Sequence, residues 1–274
     1  MFHPLSTGSR RRFLLLIILS ALFRLPLPAQ QPSWDYAGGG FGASDFHVRD
    51  DHASPLVFRA WGIAPVVQFI HAGEGNRHYF EAAYSPALLS SAPANFRTDN
   101  WRGRIRYAYL VQAWDLGSAE RPLRMFLGGS ATSFLQRANY YYFIPPLNGY
   151  GTSIDSWYWS SSLDAAVNAE YDLAEREFVS VQCFVPLLSN VSRPRYSPSG
   201  DYSYTENTFK MKMFGRTQFF PKNISADILL SFQAPVFWRF NAGVSYEFYF
   251  ASYDLPREVK MYMNNARGGV FFCF

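Results

Sequence analysis

Between residues 226 and 250 every second side chain is apolar: Ala226, Ile228, Leu230, Phe232, Ala234, Val236, Trp238, Phe240, Ala242, Val244, Tyr246, Phe248 and Phe250. Asp227, Ser231, Gln233, Arg239, Asn241, Ser245 and Glu247 stand between them. Successive side chains of a strand point to opposite faces, so this period of two predicts extended chain with one apolar and one polar face. The same alternation recurs elsewhere. Trp101, Ile105, Tyr107, Tyr109 and Val111 oppose Arg102, Arg104, Arg106 and Gln112. Trp157, Trp159, Leu163, Ala165, Val167 and Tyr171 oppose Ser160, Ser162, Asp164, Asn168, Glu170 and Asp172. Residues 177–188 and 208–219 follow suit. The chain is expected to be all-β.

Composition separates two all-β solutions. Aromatic residues make up 19% of the chain, yet mean hydropathy is −0.12. After the first thirty residues no apolar run reaches the length of a membrane helix. A soluble sandwich uses its apolar faces as a core. A transmembrane barrel turns them to lipid and needs aromatic girdles at both interfaces. The aromatic content favours the barrel.

The ends carry addresses. Arg10, Arg11 and Arg12 precede the apolar stretch Phe13–Phe23, and Leu25-Pro-Leu-Pro-Ala-Gln30 follows it. This is the layout of a cleaved signal peptide over residues 1–30, with cleavage after Ala29 or Gln30. Ser9-Arg10-Arg11-Arg12-Phe13-Leu14 also matches a twin-arginine signal. A barrel crosses the periplasm unfolded, so that match is read as incidental. The chain holds 25 Lys+Arg against 21 Asp+Glu; without the four arginines of residues 1–30 the count is 21 against 21. The basic balance therefore belongs to the leader and gives no reason to expect nucleic acid.

The last segment, Ala266-Arg-Gly-Gly-Val-Phe-Phe-Cys-Phe274, alternates up to a terminal aromatic. It resembles the C-terminal signal of bacterial outer-membrane β-barrels. Leu25-Pro-Leu-Pro-Ala-Gln-Gln31 and Phe272-Cys273-Phe274 are similar to the ends of barrel proteins from the Bacteroidota group. The resemblance implies a Gram-negative outer membrane, contact with its lipid, and delivery by the barrel-assembly machinery through Phe274. It implies no activity.

Residues 31–274 are thus expected to form one transmembrane antiparallel up-and-down barrel. Short connections (71–78, 115–122, 173–176) alternate with longer ones (91–100, 139–156, 189–207), as periplasmic turns alternate with extracellular loops. Eleven candidate crossings can be counted, whereas termini on one side require an even number. Reading 224–251 as a single tall strand gives ten; twelve is the alternative. Cys183 and Cys273 fall on unlike faces, so no disulfide is expected.

The inward-parity charges are the candidate site. Arg102, Arg104 and Arg106 form a ladder about 7 Å apart in steps, too costly to face lipid. Asp164, Glu170, Glu247 and Arg267, with Glu81 and Asp227, share the inward parity. Either they pair and fill a narrow barrel or they form a selective constriction, with the ladder opposite Asp164 and Glu170. His47 and His52 beside Asp50 and Asp51 are a candidate base or metal cluster at the rim, more simply read as an acidic loop. No catalytic signature accompanies them, and no catalytic residue, metal site or cofactor is assigned. The glycines 38–40 and 42 lack the helix and Lys-Ser/Thr of a phosphate loop and are read as relief of crowding in the first strand. The Tyr-rich stretches 139–151 and 196–204 suit a binding surface or an aromatic girdle. The functions left open are a small channel with a charged lumen, a non-conducting barrel acting through its loops, and a hydrolase at the lip.

Overall fold

The alternating segments form strands throughout. A computed structural model describes residues 34–51, 54–91, 96–118, 121–142, 152–174, 176–194, 215–255 and 257–274. The expected signal segment 1–30, His52 and the stretches 143–151 and 196–204 lie outside the described residues. The strands are β1 (Trp34–Asp50), β2 (Ser54–Ile63), β3 (Val66–Ala72), β4 (Asn76–Ser91), β5 (Phe96–Ser118) and β6 (Arg121–Tyr142). They continue as β7 (Thr152–Ala174), β8 (Glu177–Ser192), β9 (Arg216–Phe219), β10 (Asn223–Phe237), β11 (Phe240–Tyr253) and β12 (Val259–Cys273).

Every pairing is antiparallel, and the sheet closes on itself because β1 pairs with β12 and β10 with β8. Closure satisfies the edge groups that an open sheet would leave unpaired. β2 and β3 are halves of one stave, both lying between β1 and β4. The break falls at Pro65, which has no N–H for the ladder, and the flanking bonds Ala64 N to Gly42 O and Tyr84 N to Pro65 O bridge it. β9 pairs only along Leu188–Val191 of β8. Among the described residues, twelve strands thereby make a ring of ten staves.

Ten is the expected number, reached by a different route. Residues 224–251 are two strands, β10 and β11, joined by a turn at Trp238 and Arg239. Of the expected strand 208–219, the described part is β9. The apolar phase runs unbroken through the hairpin because the register shifts by one residue between Pro235 and Phe237. The two-residue turn plus the bulge is an odd-length connection, so even-numbered residues stay on the same face on both strands.

The outer surface is apolar around the ring: Phe41 is 74% exposed and Val244 59%. At the end where β1 begins and β12 finishes, Phe240, Phe272 and Phe274 form an aromatic cluster with centroids 5.3 and 5.9 Å apart. Such a belt and girdle match a hydrocarbon surround. On the wall made by β12, β1 and β2 the alternation changes sense at the far end. There Asp45, His47, Arg49 and Arg59 point outward, while Phe46, Val48, Phe58, Met261 and Met263 are buried inside. The expectation that inward faces are polar throughout is corrected here. Beyond the membrane the outer surface meets water and the lumen becomes an ordinary core.

Candidate functional site

The ladder on β5 lies inside the ring, and each arginine has its own setting. Arg104 is central. Its guanidinium binds Glu81 of β4, with Nε donating at 3.0 Å, and also Glu247 of β11; Nη1 donates to Asp227 of β10 at 2.6 Å. Arg106 donates to the same Asp227 carboxylate at 2.5 Å and lies 3.9 Å over the Phe184 ring. Arg267 of β12 donates to Glu247 at 2.6 Å, and Asn265 to the same oxygen at 2.7 Å. Glu81 also accepts from Tyr79 and Gln68. Three guanidinia and three carboxylates thus form a charge-balanced layer across the lumen. All six side chains are at most 4% exposed. Burial of this depth is tolerable only because every charge has opposite partners and hydrogen bonds.

Arg102 is different. It donates to the hydroxyls of Ser85 at 2.7 Å and Ser44 at 3.1 Å, and its guanidinium lies 4.1 Å over Phe46. Above it begins the apolar core around Phe46, Phe58, Leu89, Phe134, Tyr158 and Met261.

Neither Asp164 nor Glu170 ion-pairs with the ladder, which corrects the expected constriction, but Asp164 is linked to Arg106 through the Thr132 hydroxyl, which accepts from Arg106 Nε at 3.2 Å. Asp164 accepts from Ser130 at 2.8 Å and Thr132 at 2.6 Å. Glu170 pairs with Arg77 at 3.0 Å. Register explains it: Arg106 aligns with Thr132 and Thr132 with Ser162. Asp164 is therefore one inward step below the row of Arg106, and Glu170 four. Parity placed these residues on the inner face, but only the stagger of the staves decides which ones meet.

The rim cluster is likewise rearranged. His47 faces outward, 3.2 Å from Asp45 and 2.8 Å from the Tyr262 hydroxyl. Asp50 points inward to Ser156 and Arg193, and Asp51 pairs with Arg49. The expected pairing of His47 with Asp50 or Asp51 is not formed. Among the described residues no group of three potential metal ligands converges. Cys183 and Cys273 are both free thiols.

Below the charged layer, toward the end holding Trp34 and Phe274, the lumen opens into a cavity of about 250 Å³. Its floor is Gln68, Tyr79 and Arg267; its walls include Gln182 and Gln233; its rim carries Trp34, Gly73 and Arg176. Gly40 of β1 and Gly268 and Gly269 of β12 line it. Gly38, Gly40 and Gly42 occupy consecutive inward positions, and a Cβ on Gly40 would stand 2.6 Å from the Gly268 carbonyl oxygen. Side chains at these three positions are excluded by the close approach of β12. By contrast, the spaces beside Asp227 and beside Arg102 are about 20 Å³ each, of the order of one water. This cavity was not anticipated from the sequence; the inward glycines of β1 relieve crowding against β12, as expected.

No protein-family model and no curated protein matches the chain. Solved structures similar to it include the outer membrane protease OmpT of Escherichia coli, at 9% identity and a TM-score of 0.47, covering 88% of this chain and 96% of that one. Neisserial surface protein A matches at 10% identity and a TM-score of 0.36, covering 88% of this chain and 99% of that one. The Ail protein of Yersinia pestis matches at 9% and 0.34, covering 88% and 99%. Their activities differ from one another, and none is assigned to this chain by such distant likeness.

Proposed function

We propose that this protein is a non-conducting outer-membrane barrel, working at its two ends rather than through its lumen. The observation that carries this reading is the charge-balanced layer of Arg104, Arg106 and Arg267 with Glu81, Asp227 and Glu247, buried across the bore. A selectivity filter leaves charges free to exchange with passing ions. Here they are spent on one another, and beyond them Phe46, Phe58, Leu89, Phe134, Tyr158 and Met261 pack into a core. The lipid-matched outer belt and the expected export signal support the outer membrane. The end bearing both termini then faces the periplasm, as short turns on that side suggest.

The test is planar-bilayer recording on the refolded chain 31–274, with folding confirmed by its mobility on an unboiled gel. Silence is expected. Discrete current steps from the folded protein would return the channel reading, and a change of ion preference in Arg104→Met would locate the conducting path at this layer.

A further inference from the structure

We infer that the outer wall at the terminus-bearing end carries a binding site for a divalent transition-metal ion, held between His71 of β3 and His78 of β4. The inference is independent of the state of the lumen, since both side chains lie on the outer face, alternating with the buried Arg77 and Tyr79.

The two histidines stand directly opposite each other in the register, close to the turn that joins β3 to β4. Their ring centroids are 5.4 Å apart and the rings are inclined at 59°. Two imidazoles that bind one ion through nitrogens at about 2.0–2.1 Å have their centres roughly 5 Å apart. The pair therefore stands close to the spacing an ion requires.

Hydrogen bonding decides which nitrogens are on offer. His71 Nδ1 lies 2.5 Å from the Asp35 carboxylate, and His78 Nδ1 lies 2.7 Å from the Tyr107 hydroxyl. These partners flank the pair on opposite sides, Asp35 on β1 beyond β3 and Tyr107 on β5 beyond β4. An ionised carboxylate only accepts, so the proton of His71 sits on Nδ1 and the lone pair on Nε2. Among the described residues neither Nε2 has a hydrogen-bond partner. An imidazole fixed through one nitrogen by an outer partner, with the other nitrogen free, is the form in which histidine ligates metals.

The position also suits an ion. The side chains of His71 and Asp35 are 38% and 32% exposed. Tyr109, whose ring centroid is 4.8 Å from that of His78, and Tyr107 are exposed beside them. Tyrosines on the outer wall mark the headgroup level, which water and ions reach. Imidazole suits Cu²⁺, Ni²⁺ and Zn²⁺, whereas Mg²⁺ and Ca²⁺ take oxygen ligands. No third potential ligand converges with the pair among the described residues, so water completes the coordination. In the proposed orientation the ion comes from the periplasm.

The experiment is titration calorimetry on refolded 31–274 in detergent micelles, with NiCl₂ and ZnCl₂ as probes and MgCl₂ and CaCl₂ as controls. One equivalent of Ni²⁺ or Zn²⁺ should bind. His71→Ala and His78→Ala should each lower the affinity at least as much as loss of an outer partner does, about tenfold or more. Asp35→Asn keeps both ligands but lets an amide N–H face Nδ1, which moves the ring proton to Nε2; affinity should fall about tenfold. His47→Ala, at the far end, should change nothing. All four positions are on the outer face, and each variant should keep the parent's mobility on an unboiled gel. Without any variant, Zn²⁺ should protect His71 and His78 together, and not His47, from diethyl pyrocarbonate, read by peptide mass. A folded parent that binds neither ion overturns the site. Binding that survives both histidine variants, or protection at other residues, overturns the location. Loss with one histidine variant but not the other overturns the shared pair. Equal binding of Mg²⁺ or Ca²⁺ overturns the class of ion.

Discussion

Arg102 and Arg104 stand two positions apart on the same strand and face, yet their surroundings predict opposite responses to the same change. Arg104→Met would strand Glu81, Asp227 and Glu247 without their shared cation. Breaking a buried network in this way is expected to cost about 3–5 kcal/mol. Arg102→Met removes a cation that is held by two hydroxyls and an aromatic face. A thioether of similar length keeps the contact with Phe46, so the loss should stay within about 1 kcal/mol. Urea unfolding of the two variants in lipid vesicles, followed by tryptophan fluorescence, compares them directly. Equal losses would mean that the network around Arg104 carries no special weight. At this scale the sequence told which residues turn inward, because parity is local. It did not tell that Arg104 meets Glu247, 143 positions away, because that depends on the stagger of staves that have no sequence contact.

The strand of greatest interest is β1, whose two halves obey opposite rules. Near Phe41 it is apolar outside; from Asp45 to Arg49 it is polar outside and apolar within. A period of two reads the same in both halves, so the alternation alone could not reveal the change of sense. What changes is the solvent on the outer side. Two substitutions test where it changes. Val244→Arg, on the lipid-facing belt of β11, is expected to cost about 2–4 kcal/mol. Val57→Glu, outward on β2 and opposite Arg49 in the register, should alter stability by no more than about 0.5 kcal/mol, as at a watery surface. Equal penalties at the two sites would remove the proposed boundary. The hairpin of β10 and β11 teaches a related point: an unbroken apolar phase suggested one strand, but a bulge beside a two-residue turn preserves phase just as well.

For the whole molecule, the all-β class and the closed ring could be read in advance, since they follow from alternation and aromatic content; the number ten was expected only by merging 224–251, which are two strands. The layered interior could not. Apolar core, charged layer and open cup succeed one another along the axis, each built from residues scattered over the full chain. The ring closes along fifteen pairs, from Tyr36 with Cys273 to Asp50 with Val259, and Asp35 and Phe274 exchange backbone hydrogen bonds. That seam joins the most distant parts of the described chain. Loop-closure entropy makes such a pairing late and slow, and until it forms both edges can recruit another chain. Linking the two ends and reopening the chain at Trp238–Arg239 should therefore leave the finished ring unchanged. What it should alter is the order of events: β1 and β12 would zip early as a local hairpin, and the slow step in refolding would move to β10 and β11.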